Sequence, residues 1–116
     1  MKIKRKQAGE IMVLQLSGKI MGGEDQELFP TEIKNLINEG FVDVLLNMEH
    51  VEWINSIGIG ILMSGFTTIK RNGGTMKFCA LRERVENIFI VTQLKLVFET
   101  YDTEEQGLAS FKKAPA

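Results

Sequence analysis

The chain is predicted to adopt an α/β fold, a mixed β-sheet opened by an antiparallel hairpin and covered by about four helices. Two strand-like segments, Lys2 to Ala8 and Ile11 to Ser17, flank the turn pair Gly9-Glu10. From there onward, short apolar runs alternate with stretches whose apolar residues recur at helical spacing. Glycines mark the junctions between them, at Gly18, Gly22-Gly23, Gly40 and Gly73-Gly74.

In the second segment Ile11, Val13, Leu14 and Leu16 are set against polar positions, as in one arm of a hairpin. Gly18 and Gly22-Gly23 break that pattern. Leu28, Phe29, Ile33, Leu36 and Ile37 then follow a helical period up to Gly40, a natural C′ residue. Pro30 removes a backbone donor and crowds the preceding turn, so this helix is expected to start late or kink there. The run from Val42 to Met48 is short, apolar and β-branched, and reads as a buried strand.

Downstream, Asn55 and Ser56 are both good N-cap residues, able to accept from the free N–H groups of a first helical turn. The helix they open carries Ile59, Leu62, Met63, Phe66 and Ile69 as its core stripe and ends at Asn72-Gly73-Gly74. Gly58 and Gly65, on one helical face, are expected to let it pack closely on the sheet. Thr75 to Leu81 is the next strand. Arg82 to Thr92 forms a short helix burying Val85, Ile88 and Phe89, and Leu96-Val97-Phe98 is read as the last strand. Thr103-Glu104-Glu105-Gln106 is a capping box that opens a final helix through Leu108 and Phe111, with a loose tail from Lys112.

At 116 residues the chain is expected to be one domain, residues 1–116. Its 14 basic and 15 acidic side chains leave a net charge of −1, no electrostatic footprint for nucleic acid or an anionic membrane. The basic start lacks the apolar core of a secretory signal, and no apolar run approaches the roughly 18 residues needed to span a bilayer. A soluble cytoplasmic protein is expected. Cys79 is the only cysteine and lies in a buried strand pattern, so it makes no intramolecular disulfide or cysteine cluster. His50, the only histidine, is read as a loop residue with no metal-ligand spacing around it. No metal and no cofactor is expected.

Ser56 is the residue to which chemistry points, a small hydroxyl between an apolar strand and the positive end of a helix, where added negative charge is tolerated. As a serine hydrolase elbow, Gly-x-Ser-x-Gly, the site fails at Ile54, and His50 precedes the serine where that order needs it after. As a dinucleotide fingerprint, Gly58-x-Gly60 fails at Met63, and there is no Gly-Lys-Ser/Thr phosphate loop. The chain is therefore not expected to be an enzyme. The third reading is a docking surface: Ile57, Gly60, Ile61, Ser64 and Thr68 fall opposite the core stripe, leaving Ile57 and Ile61 exposed one turn apart. A small-molecule sensor would draw on Trp53 and the glycine loops near Ser56, although burial of Trp53 is the simpler reading.

These segments, Leu14-Gln15-Leu16-Ser17-Gly18, Val44 to Met48, Val51 to Leu62 and Asn72-Gly73-Gly74, resemble the STAS domain of bacterial anti-sigma factor antagonists across nearly the whole chain. The resemblance implies the STAS fold and a partner switch. Unmodified, such a protein docks on an anti-sigma factor serine kinase and so releases a sigma factor for transcription. The kinase phosphorylates the signature serine, which corresponds to Ser56 followed by Gly58, Ile59 and Gly60, and a serine phosphatase can reverse the mark. The partner surface implied is Met21, Gly22, Gly23, Asn55, Ser56, Ile57, Gly58, Gly60, Ile61 and Ser64. Asn55 stands where the family has aspartate, and Met21 where an acidic residue is frequent. The alternative is a STAS scaffold that is never phosphorylated and holds a signalling complex together.

Overall fold

The computed structural model describes residues 1–111. Strand β1 (Lys2–Ala8) turns at Gly9, in left-handed conformation, and pairs antiparallel with β2 (Ile11–Ile20). Parallel to β2 lie β3 (Asp43–Ile54), β4 (Thr75–Cys79) and the two-residue β5 (Thr100–Tyr101), giving a mixed sheet in the order β1-β2-β3-β4-β5. Each parallel step needs a crossover, supplied by α1 (Asp25–Asn38), α2 (Ser56–Arg71) and α3 (Glu83–Val91). Helix α4 (Glu104–Ala109) follows β5. The α/β class, the mixed sheet, the hairpin and the four helices are as the sequence predicts.

The main core lies between the sheet and the first three helices. Leu14, Leu16, Leu46, Met48 and Phe78 from the strands meet Phe29, Ile33, Leu36, Leu62, Ile69 and Phe89 from the helices. Alternation along each strand sends Val13, Leu45 and Cys79 to the opposite face, where Leu108 and Phe111 cover them. Polar ties hold α4 at both ends: Asn47 Nδ2 donates to Glu104 Oε1 at 3.0 Å, and Lys77 Nζ donates to the Ser110 carbonyl at 3.0 Å. The expected tail from Lys112 lies outside the described residues.

Five local expectations are corrected. Strand β2 continues through Gly18 to Ile20, accommodating it with a register shift between Gly18 and Lys19. Helix α1 starts at Asp25, five residues before Pro30, so the proline neither delays it nor ends it. Its missing donor deprives only Gln26, whose carbonyl belongs to an exposed residue and can turn to water. Strand β3 runs on to Ile54, which makes His50 an exposed strand residue opposite Ser17 rather than a loop residue. Strand β4 stops at Cys79, short of Leu81. Leu96-Val97-Phe98 is not a strand: Gln93 turns left-handed (φ 63°), Leu94–Leu96 form a 3₁₀ turn, and Phe98 enters the core, stacked 4.4 Å from Phe78.

Candidate functional site

Strands β2 and β3 end side by side, and the chain leaves each into a helix. Asn55 is extended (φ −104°, ψ −176°), and its side-chain oxygen accepts from the Gly58 amide at 2.8 Å, which makes Asn55 the N-cap of α2. Ser56 is thereby the first helical residue. It is exposed, and among the described residues its hydroxyl has no hydrogen-bond partner. The first turn carries no acidic side chain, while Lys70 and Arg71 complement the dipole at the far end. The positive end of α2 is thus not neutralised by its own sequence.

Three ties join this turn to the end of β2. The Asn55 amide donates to the Ile20 carbonyl at 3.3 Å, and Asn55 Nδ2 donates to the Met21 carbonyl at 3.2 Å. Gly58 lies against the Ile20 backbone so closely that a Cβ there would sit 2.0 Å from the Ile20 oxygen. Gly22 (φ +110°) packs on Ile57, whose Cγ2 would lie 3.1 Å from a Cβ at position 22. Met21 (45 % exposed) and Ile57 (49 % exposed) are therefore apolar side chains flanking one junction, with Gly23 and Ser56 exposed beside them. Gly60, with open space at its Cβ position, and Ser64 continue the exposed face at successive turns from Ser56.

The helix is rotated relative to its predicted stripe. Its buried residues are Gly58, Ile61, Leu62, Gly65 and Ile69, with Ile59, Met63 and Phe66 only partly covered. Ile61, expected on the exposed face with Ile57, is 6 % exposed and belongs to the core. Gly65, expected to approach the sheet, instead meets α1: a Cβ there would lie 2.3 Å from Phe29 Cε2. Thr68 is half-buried, its hydroxyl donating to the Ser64 carbonyl at 3.0 Å.

Trp53, read as buried, is half-buried with the Arg84 guanidinium 5.1 Å from its ring centre. Sequence reasoning missed that stack, because 31 residues separate the partners and only the packing of α3 near the end of β3 joins them. The exposed Ile90, Val91, Leu96 and Val97 were also unforeseen, the last two having been assigned to a strand. Cys79 is fully buried as expected, and burial pushes its thiol up to about 12, with Glu104 and Glu49 adding in the same direction. Among the described residues no three histidine, cysteine, aspartate or glutamate side chains are grouped to hold a metal ion. Nor is any helix of those residues long and apolar enough to cross a membrane.

The fold agrees with the family comparison: the STAS domain model matches residues 2–107, and the chain belongs to that family. Over 100 residues it is 27 % identical to a Thermotoga neapolitana protein described as an anti-sigma factor antagonist homologue, covering 85 % of this chain and 88 % of the relative. A Thermotoga maritima crystal structure, also described as an anti-sigma factor antagonist, superposes with a TM-score of 0.88 at 19 % identity, over 96 % and 95 % of the two chains. The phosphorylated form of the Bacillus cell-fate determinant SpoIIAA superposes with a TM-score of 0.72 at 16 % identity, over 96 % and 100 %.

Proposed function

We propose that this chain, as a single STAS domain, is an anti-sigma factor antagonist working as a cytoplasmic partner switch. Unphosphorylated, it docks on an anti-sigma factor serine kinase through Met21, Gly22, Gly23 and Ile57, with Ser56, Gly60 and Ser64 on the same face. Docking releases the sigma factor. Phosphorylation of Ser56 ends the interaction, and a serine phosphatase restores it. The catalytic base and ATP belong to the kinase, so this chain is substrate and regulator.

The observation that carries the reading is that Asn55 has taken over the cap, leaving the Ser56 hydroxyl exposed and unbonded at the helix start between two exposed apolar side chains. A phosphate there adds about two negative charges, which the N-terminus of α2 accommodates while the apolar junction becomes charged and hydrated. Binding changes and the fold does not. Support also comes from the family and from relatives described as anti-sigma factor antagonists. The scaffold reading is favoured by one feature, the neutral Asn55 in place of the family aspartate.

One experiment separates the two. Wild type and Ser56→Asp serve as baits in lysate of the native cell, captured proteins are identified by mass spectrometry, and the endogenous protein is mapped for phosphoserine. A serine kinase of the anti-sigma type captured by wild type alone, with phosphate on Ser56, is the expected result. Equal capture by both baits, with Ser56 unmodified, would leave the scaffold.

A further inference from the structure

We infer that Asn55 is a positioning residue whose carboxamide clamps the β2–α1 loop to the start of α2, so that Met21, Gly22 and Ile57 are presented as one surface. The inference deepens the docking reading above and rests on it for its biological meaning. Its structural content stands on two hydrogen bonds from one side chain. The Asn55 oxygen accepts from the Gly58 amide at 2.8 Å, and this bond requires an oxygen. That orientation turns the amide nitrogen toward the Met21 carbonyl, to which it donates at 3.2 Å.

Only an amide does both at neutral pH. Aspartate, the family residue at this position, caps a helix as well as asparagine does, but its ionised carboxylate has no proton to donate. It would instead face the Met21 carbonyl oxygen, acceptor against acceptor. Serine keeps a cap oxygen but is too short to reach a second partner as well. Beside it, Gly22 packs on Ile57, and the Met1 ammonium donates to Asp25 Oδ1 at 3.2 Å at the far end of the loop. But Gly22 and Gly23 both adopt positive φ, and the hydrogen bonds Asp25 N–H to Gly22 O (3.3 Å) and Gln26 N–H to Gly23 O (3.2 Å) are long. A glycine pair with weak local bonds samples many conformations unless tied. Asparagine at this position thus supplies a mechanical link where an aspartate would place a charge beside Ser56.

The test uses isolated ¹⁵N-labelled protein and needs no partner. Wild type, Asn55→Asp and Asn55→Ser are compared by backbone amide exchange and by the chemical shifts of Gly22 and Gly23. In both variants the Gly58 amide should stay protected, because a cap oxygen remains. The Asp25 and Gln26 amides should exchange about five to ten times faster, the effect of losing one neutral hydrogen bond. For Asn55→Asp alone, lowering the pH through the carboxyl range, about 4, supplies a proton and should return the glycine resonances toward their wild-type positions. A merely structural cap would show no such rescue. Unchanged loop exchange in Asn55→Asp, or glycine shifts indifferent to pH, would overturn the clamp. If the loop loosens while kinase capture is unaffected, the clamp stands and it is the docking reading of the loop that fails.

Discussion

Replacing Gly58 by alanine should destabilise the protein although alanine is the better helix former. The added Cβ would lie 2.0 Å from the Ile20 oxygen, 2.9 Å from the Ile20 carbonyl carbon and 2.8 Å from Ile54 Cγ1. Two of these three atoms are backbone of a paired strand and cannot rotate away. Ordinary contact would require the first turn of α2 to retreat by roughly 1.4 Å, in a core packed too densely to absorb it. Such a retreat stretches the Asn55 amide bond to Ile20, already 3.3 Å, and lifts Ile57 off Gly22. Overpacking of this kind costs about 1–3 kcal/mol, against a propensity gain near 1 kcal/mol. With the weakened hydrogen bond included, a net loss of about 2 kcal/mol follows, or about 8 °C in Tm for a chain of this size. Two residues on, Gly60 has nothing within 4 Å of its Cβ position. Gly60→Ala should therefore raise stability by about 0.5–1 kcal/mol. Urea and thermal unfolding followed by circular dichroism give both values. A Gly58→Ala protein as stable as wild type would refute the close approach of α2 to β2 on which the site is built.

Ser56→Asp should remain folded and be neutral to about 1 kcal/mol more stable at low salt, because the first turn of α2 has no acidic residue to share the dipole. A loss of more than 1 kcal/mol in urea unfolding would contradict that. Asn55→Ala removes the cap and the bond to Met21 together and should cost about 2 kcal/mol, more than Asn55→Asp, in the same assay. For Cys79 the folded pKa stands above the unfolded value of about 8.5, so the unfolded chain loses its proton first and stability falls as pH rises through that value. Between pH 8.5 and 10 the wild type should lose stability with a slope approaching about 1.4 kcal/mol per pH unit, and Cys79→Ala should lack that component. In native protein at pH 8, the Cys79 thiol should react with an aromatic disulfide reagent only as fast as the fold opens.

Much of the architecture follows from local physics. Gly9-Glu10 between alternating segments specifies a hairpin, and Thr103 caps α4 by accepting from the Gln106 amide at 3.1 Å, as its capping box implies. The junction at Asn55-Ser56 is equally legible, because an apolar strand followed by two cap residues and an amphipathic run defines where a helix begins. Which of the two residues does the capping is not a local property. Asn55 takes that role with its other amide atom on the Met21 carbonyl, a partner supplied by the loop that leaves β2.

The extent of β3 and the site of β5 are equally tertiary. His50 has no strand signal of its own, and it is extended because β2, bending at its register shifts, still offers it a partner in Ser17. Leu96-Val97-Phe98 has the composition of a strand, yet no glycine announces the left-handed turn at Gln93. Burying Phe98 among Phe66, Phe78 and Phe89 outweighs pairing its neighbours.

By itself, then, the sequence determined the α/β class, the hairpin, the helices and the position of a serine at a helix start, since each depends on periodicity and capping within a few residues. Tertiary structure alone decided the phase of α2. That helix carries isoleucines at 57, 59 and 61, followed by Leu62 and Met63, so its apolar face is broad and hydropathy alone does not fix which edge of that face is buried. The choice fell to its glycines, because only Gly58 and Gly65 allow the approach to the Ile20 carbonyl and the Phe29 ring, and that approach turns Ile61 inward while leaving Ile57 beside Ser56 in water.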